Sequence, residues 1–415
     1  MTMLQTMKRT GWCGLLLLTI VSCGEKKKTG GNTVHMATAE TSVQGDNFYK
    51  RYSGTIAGQP VVVNLQRISN KITGTYYYTR QGKLITLYNN DDTTEDNDYL
   101  LTEVPAGSTD GDYAHWDVRL DGENLTGKWT SADGKKGFPV VLKEQYPEGS
   151  YRMQVKYYEE TRSLIVDREE PAASFSNSYL APDASVATAD ADFILSVVKK
   201  ELGCDTIDND PDACVRKSAD AYLKDYRDGI ADMDTADLSS PMNNYNSDQS
   251  LRVDYNDNGM LVIEDFNAGY YGGAHGNYSI SYICADVKER RVWQLEDILT
   301  VDSNILKPLL DVAARDYFGL GLDDKLEDRM LVEAVPVTGN FFISETGISF
   351  VYNPYEIASF ADGAVALFIS YDKLKDLLTP AFTERMHLFG TNAGSAMVYP
   401  TYNRLLAAAG GCRTA

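Results

Sequence analysis

Leu251-Arg252-Val253-Asp254-Tyr255-Asn256-Asp257-Asn258-Gly259-Met260-Leu261-Val262-Ile263-Glu264-Asp265-Phe266 is the stretch that decides the fold. Two runs rich in β-branched, aromatic and other apolar residues flank Asn258-Gly259. That dipeptide tolerates two consecutive positive φ angles, so the stretch predicts a tight β-hairpin. The spacing Asp254-x-Asn256-x-Asn258-Gly259, followed by Asp265, imitates a calcium loop with Asp in place of the final Glu. A calcium loop of that kind needs a helix on each side. Here Leu251-Arg252-Val253 and Leu261-Val262-Ile263 are β-like, which favours the hairpin.

Working outward, residues 151–166 alternate like a strand, and residues 277–287 form another. Residues 191–202 place Phe193, Ile194, Val197, Val198 and Leu202 at helical spacing, with Asp190 as a candidate cap and Gly203 as the stop. Residues 213–226 are a second helical run. Residues 308–318 read as a helix with Pro308 at its first position. Two short strands are expected around Thr346-Gly347 within 341–352, then a strand over 364–370 and a short helix over 372–378. Helices inserted between antiparallel strands make residues 148–379 an α+β module.

Residues 46–147 read as a β-rich domain, with strands over 59–66 and 72–79 among others. An internal echo runs through it. Ile72-Thr73-Gly74-Thr75-Tyr76 followed by Gly82-Lys83 matches Leu125-Thr126-Gly127-Lys128-Trp129 followed by Gly134-Lys135. The echo suggests two copies of one meander. The acidic stretch 89–98 between them reads as a solvated loop.

Met7-Lys8-Arg9, the apolar run Leu15-Leu16-Leu17-Leu18-Thr19-Ile20-Val21 and then Val21-Ser22-Cys23-Gly24 have the layout of a lipoprotein signal. The apolar run is shorter than the ~20 residues that span a bilayer. The expectation is a signal peptide over 1–23, cut to leave Cys23 lipidated and the protein anchored to a membrane in the cell envelope. An uncleaved anchor and an ordinary secretory signal are the alternatives. Residues 24–45 read as a flexible tether. Within it, Lys26-Lys27-Lys28 could touch anionic head groups or simply be solvated. Residues 380–415 read as a C-terminal tail without assigned function.

The chain has 415 residues, 43% of them hydrophobic and 24% charged, with a formal net charge of -20. Such a charge repels nucleic acid and suits neutral glycans, cations or a basic protein partner. Of six cysteines, Cys13 leaves with the signal and Cys23 takes the lipid. In an exported protein Cys204 and Cys214, bracketing a short polar loop, are the expected disulfide, and Cys284 with Cys412 stays open.

Tyr270-Tyr271-Gly272-Gly273-Ala274-His275-Gly276 combines a glycine-permitted tight backbone with two flat aromatic faces and an imidazole. It reads either as a binding loop or as a structural turn whose imidazole bonds to backbone. No catalytic constellation accompanies it. The four histidines, His35, His115, His275 and His387, are far apart in sequence. Neither His-Glu-x-x-His nor Gly-x-Ser-x-Gly occurs. A compact Asp/His metal set, as a polysaccharide deacetylase needs, is not found. Asp208-x-Asp210-x-Asp212 lacks the glycine and distal acid of a calcium loop. No metal or cofactor is expected. Paired carboxylates for glycoside hydrolysis stay open among 59 acids, with Glu356 the best single candidate. Its alternative is a loop-ordering hydrogen bond.

Read in order, several pieces resemble one family. They are Tyr271-Gly272-Gly273-Ala274-His275-Gly276 after a hairpin, then Trp293-Gln294-Leu295-Glu296-Asp297-Ile298-Leu299, then Tyr352-Asn353-Pro354-Tyr355-Glu356-Ile357-Ala358. Ala361-Asp362-Gly363 and Tyr371-Asp372-Lys373-Leu374-Lys375-Asp376-Leu377-Leu378 complete the series. Together they resemble the RsiV-like domain, a domain of largely unknown function shared by the anti-sigma factor RsiV and the deacetylase PdaC. The resemblance covers roughly residues 150–379, and before Leu251 it holds only in outline. Ser359-Phe360 departs from the Pro-Tyr expected there, and the acidic insert near Asp205 is a second departure. The resemblance implies an α+β envelope domain that binds a ligand. RsiV is a lysozyme receptor, so the implied partner is a lysozyme-like muramidase or a peptidoglycan-derived glycan. No transmembrane or sigma-binding region is read in the sequence, so anti-sigma activity is not carried over. The expected contact surface is Tyr270, Tyr271, Gly272, Gly273, His275, Gly276, Tyr355 and Glu356. The alternatives are a glycan or cell-wall hydrolase using acidic residues and a non-catalytic structural lipoprotein.

Overall fold

The computed structural model describes residues 40–41, 47–89, 97–106, 112–163, 172–204, 210–230, 233 and 240–389. The signal with Cys23, His35, nearly all of the tether, most of the acidic 89–98 stretch, Asp205, Asp208 and Cys412 lie outside the described residues.

Strand β1 (Glu40–Thr41) precedes an eight-stranded closed barrel. Its strands are β2 (Phe48–Ile56), β3 (Gln59–Ile68), β4 (Lys71–Tyr78), β5 (Ile85–Asn89), β6 (Asp98–Pro105), β7 (His115–Asp121), β8 (Asn124–Thr130) and β9 (Gly137–Glu144). Each pairs antiparallel with the next, and β2 pairs with β9 to close the ring. Closure leaves no free edge. Alternate residues point inward, and Tyr52, Val63, Leu65, Tyr76, Leu87, Leu101, Trp116, Leu125 and Val140 fill the interior. The echoed segments are β4 and β8, four strands apart in the ring. Their shared glycine has a steric cause. A Cβ on Gly74 would sit 2.1 Å from the Asn64 carbonyl oxygen, and one on Gly127 2.0 Å from that of Asp117.

The second body is built on a seven-stranded sheet ordered β1-β10-β11-β12-β13-β14-β15. Its further strands are β10 (Met153–Ser163), β11 (Ala172–Pro182), β12 (Tyr245–Asp257), β13 (Met260–Tyr270), β14 (Asn277–Asp286) and β15 (Arg291–Trp293). The hairpin at Asn258-Gly259 is present, with φ of 54° and 73° at its two turn residues. Antiparallel pairing holds throughout except that β11 and β12 run parallel. The parallel pair follows from the two helices between them, α1 (Thr188–Glu201) and α2 (Pro211–Ile230), which supply the crossover a parallel pair requires. These helices cover one sheet face through Ile194, Val197, Val198, Val215 and Ala219.

The opposite face packs on helix α3 (Leu295–Ile298), helix α4 (Ser303–Phe318) and a three-stranded sheet of β16 (Phe341–Ile343), β17 (Gly347–Tyr352) and β18 (Val365–Ser370). Helices α5 (Tyr371–Leu374) and α6 (Pro380–Arg385) close the chain's described part. The architecture is α+β, a β-rich module followed by sheets with inserted helices.

Three local expectations change. Helix α1 is capped at Ala187 without a side-chain bond, so Asp190 lies inside the first turn. Helix α4 starts at Ser303, because the Asp302 carboxylate accepts the Asn304 N–H and caps it there. Pro308 therefore sits within the helix, and the Asn304 carbonyl that loses its partner is on an exposed residue. The segment read as tail begins with α6, whose Phe382 is fully buried and whose Arg385 grips Asp286.

Cys204 and Cys214 form the expected disulfide, tying the end of α1 to the start of α2. Cys284 is a buried free thiol, and burial pushes it up to about 12. No helix among the described residues is long and apolar enough to cross a membrane.

Candidate functional site

Residues 271–276 connect β13 to β14 at the outer end of the long hairpin. Gly272 and Gly273 take φ of 86° and 105°, which side-chain-bearing residues adopt rarely. The Tyr270 hydroxyl donates to the Gly273 carbonyl at 2.8 Å, fixing the turn. His275 Nδ1 lies 2.6 Å from the Gly276 carbonyl oxygen, which only accepts, so that nitrogen donates.

The loop divides its aromatic groups. Tyr270 and Tyr271 gather around Tyr245 at 6.4 and 6.3 Å, and Tyr271 also meets Tyr222 of α2 at 6.2 Å. Beyond the glycines the chain has reversed, and His275 lies against Phe360 at 4.7 Å. Phe360 meets Tyr355 at 5.9 Å and Tyr278 at 5.8 Å, and Tyr278 stacks on Phe266 at 5.7 Å. The sequence-derived surface is thus two patches. His275 and Tyr355 share one through Phe360, while Tyr271 packs on Tyr222 of the helix-covered side and Tyr270 meets Tyr245.

Tyr355 stands 56% exposed with φ of 72°. A left-handed aromatic residue is strained, and such strain persists where the surroundings enforce it. Here the Glu356 N–H donates to the Asn353 carbonyl at 3.0 Å and the Tyr355 N–H to Ala358 at 2.9 Å. Glu356 turns a carboxylate oxygen back onto the Asn353 N–H at 2.9 Å, the loop-ordering role. Pro354, Ile357 and Ala358 are buried beneath.

Asn353 also holds this loop to the sheet. Its side chain accepts the Ile280 N–H at 2.7 Å and donates to the Ile280 carbonyl at 3.1 Å. Asn340 adds a second clamp, donating to the Ile280 carbonyl at 2.8 Å and accepting the Tyr282 N–H at 3.1 Å. Strand β15 reaches only Cys284 through Asp286, so these two amides pair the outer edge of β14 where β15 does not.

Phe360 opens a single 3-10 turn (Phe360–Asp362) with a capping box between Ser359 and Asp362. Asp362 is ion-paired with Arg329, whose guanidinium lies 4.7 Å over the Phe318 ring. The Arg329 contact holds the Asp362 carboxyl down at about 2.

Deeper on the same face as Phe266 lies a buried charge set. Arg252 Nε donates to Asp254 at 2.9 Å and Nη2 to Glu264 at 2.8 Å. The Tyr282 hydroxyl donates to the same Glu264 oxygen at 2.7 Å. Burial raises Glu264, with Arg252 opposing, and raises Tyr282 as well. This set was not legible as a unit, because Arg252 and Glu264 meet only through the strand register. Phe360 was visible solely as a departure from the family pattern. Among the described residues no group of three or more His, Cys, Asp or Glu could hold a metal ion. Arranged this way, the exposed patch can stack flat faces and accept or donate hydrogen bonds.

Residues 296–372 match the family described as "Protein of unknown function (DUF3298)". That segment carries Tyr355, Glu356 and Phe360. A member of the DUF3298 family from Bacteroides fragilis is similar in structure, with a TM-score of 0.52 and 25% identity over 58% of this chain and 99% of that one. A DUF3298 family protein from Pseudomonas aeruginosa aligns with a TM-score of 0.41 and 16% identity over 56% of this chain and 96% of that one. No curated protein matches the chain.

Proposed function

We propose that this chain is a lipid-anchored cell-envelope binding protein, with an RsiV-like module that takes a lysozyme-like muramidase or a peptidoglycan-derived glycan. The observation that carries the proposal is Tyr355, a strained and exposed ring held beside Phe360 and His275. Flat aromatic faces with polar edges suit both sugar rings and a protein surface. The net charge of -20 supports a basic partner, since opposite charge speeds encounter and rejects acidic competitors. Lipidation at Cys23 would tether the site outside the cytosol.

The test is a pull-down with lysozyme and with muropeptides. Saturable retention of either is expected, and retention of lysozyme should weaken with salt. Failure to retain either would refute the reading. Glycan turnover abolished by Glu356→Gln would replace it with the hydrolase reading. Mass spectrometry finding an intact leader would remove the anchor.

A further inference from the structure

Half-buried Phe360 touches two exposed rings, His275 at 4.7 Å and Tyr355 at 5.9 Å, tilted from it by 37° and 31°. A ring sandwiched between two others needs roughly 7–8 Å, twice the carbon contact distance. Neither gap is that wide, so a ligand lies across the three rings rather than between two of them. Such a platform takes a flat, half-apolar face with polar groups on its rim.

The carboxylates beside the platform are already engaged. Asp362 pairs with Arg329 and accepts the Ser359 hydroxyl at 2.6 Å. Glu356 accepts the Asn353 N–H at 2.9 Å. A cationic side chain docking here competes with contacts the fold has made. An uncharged ligand does not, and it escapes the repulsion that a net charge of -20 imposes on acids. What the exposed rings themselves offer is a hydroxyl on Tyr355 and one nitrogen on His275. His275 Nδ1 donates to the Gly276 carbonyl at 2.6 Å. In the neutral ring the proton is therefore on Nδ1, and Nε2 is left as an acceptor. His275 is exposed, and no described residue donates to its Nε2.

A saccharide brings both parts of the match. The C–H groups of its ring form an apolar face, and its hydroxyl and acetamido N–H groups are donors on the rim. Resting on the binding role proposed above, we infer that the platform takes a neutral oligosaccharide. Tyr355 and Phe360 supply the stacking face, and His275 determines specificity by accepting a ligand O–H or N–H at Nε2.

The experiment is calorimetric titration of the full chain with chitohexaose and, separately, with lysozyme, at about pH 8, above the ordinary titration range of an imidazole. Chitohexaose should bind saturably. His275→Asn keeps an amide N–H where Nδ1 donates and removes the acceptor at Nε2, so it should weaken chitohexaose about fivefold or more. His275→Gln places an amide oxygen near the position of Nε2 and should recover most of that loss. A merely structural His275 predicts the reverse order, because Asn and not Gln keeps the bond to Gly276. Binding of lysozyme without chitohexaose would overturn the inference and leave the binding role standing. No response to either ligand would refute the binding role and the inference together. Equal affinity of parent and folded His275→Asn, or His275→Gln binding no better than His275→Asn, would also overturn it.

Discussion

Tyr355 is the residue at which stability and the proposed binding can be told apart. Its φ of 72° costs about 1 kcal/mol for a residue with a Cβ, a cost glycine does not bear. The exposed ring returns little of that through packing. Tyr355→Gly should leave unfolding free energy unchanged or raise it by up to about 1 kcal/mol, as read by denaturant titration. A loss beyond about 1 kcal/mol would show that the ring is structural. Asp362 supplies a pH signature two residues beyond Phe360. Its carboxyl is held at about 2 by Arg329, below the unfolded value of about 3.9. The unfolded chain then binds the proton more tightly, so this contribution is present above pH ~4 and fades as pH falls toward ~2. Thermal melts should show Asp362→Asn less stable than the parent at neutral pH, with the gap closing in acid. A gap independent of pH would contradict the ion pair's role.

At the level of elements, the clamp from Asn353 to Ile280 decides whether the site loop stays seated on β14. Asn353→Ala strips partners from the Ile280 N–H and loosens both its carbonyl bond and the turn. We expect a loss of about 1–3 kcal/mol and faster hydrogen exchange at the Ile280 amide than at the neighbouring Ile283. Unchanged exchange would refute the clamp. Much of this level was legible in the chain. Asn258-Gly259 announced the hairpin because few dipeptides accept two positive φ values, and Cys204 with Cys214 announced the staple. The echo around Gly74 and Gly127 was visible, although closure into one barrel was not, since ring closure depends on β2 meeting β9 across the whole domain. The site was half legible. His275 and Tyr355 stood out as residue types, but their meeting through Phe360 depends on how the small sheet packs against the large one. Tyr271 turns instead to Tyr222 of α2, because sequence adjacency hides which way a loop turns.

At the level of the whole molecule, barrel and α+β body are joined by buried polar contacts. Arg51, 2% exposed, donates from Nε to the Asn256 carbonyl at 2.9 Å and pairs with Asp257 at 2.6 Å. Asn64 donates to the Asp254 carbonyl at 3.0 Å, and Tyr77 stacks on Tyr255 at 6.1 Å. The hairpin that carries the 271–276 loop at one end is thus anchored to the barrel near the other. Arg51→Ala should cost about 1–3 kcal/mol, because the Asn256 carbonyl loses its buried donor while Asp257, partly exposed, can turn to water. It should also split one unfolding transition into two in calorimetry. A single transition at the parental midpoint would show that the joint is not held there.

Isothermal titration calorimetry of the folded parent and of Tyr355→Gly against lysozyme, and separately against muropeptides, tests the central claim most directly. The account predicts saturable heat for at least one ligand with the parent and a loss of about tenfold or more in affinity for the variant at matched stability. No saturable heat from either ligand, or equal affinity for parent and variant, would contradict it.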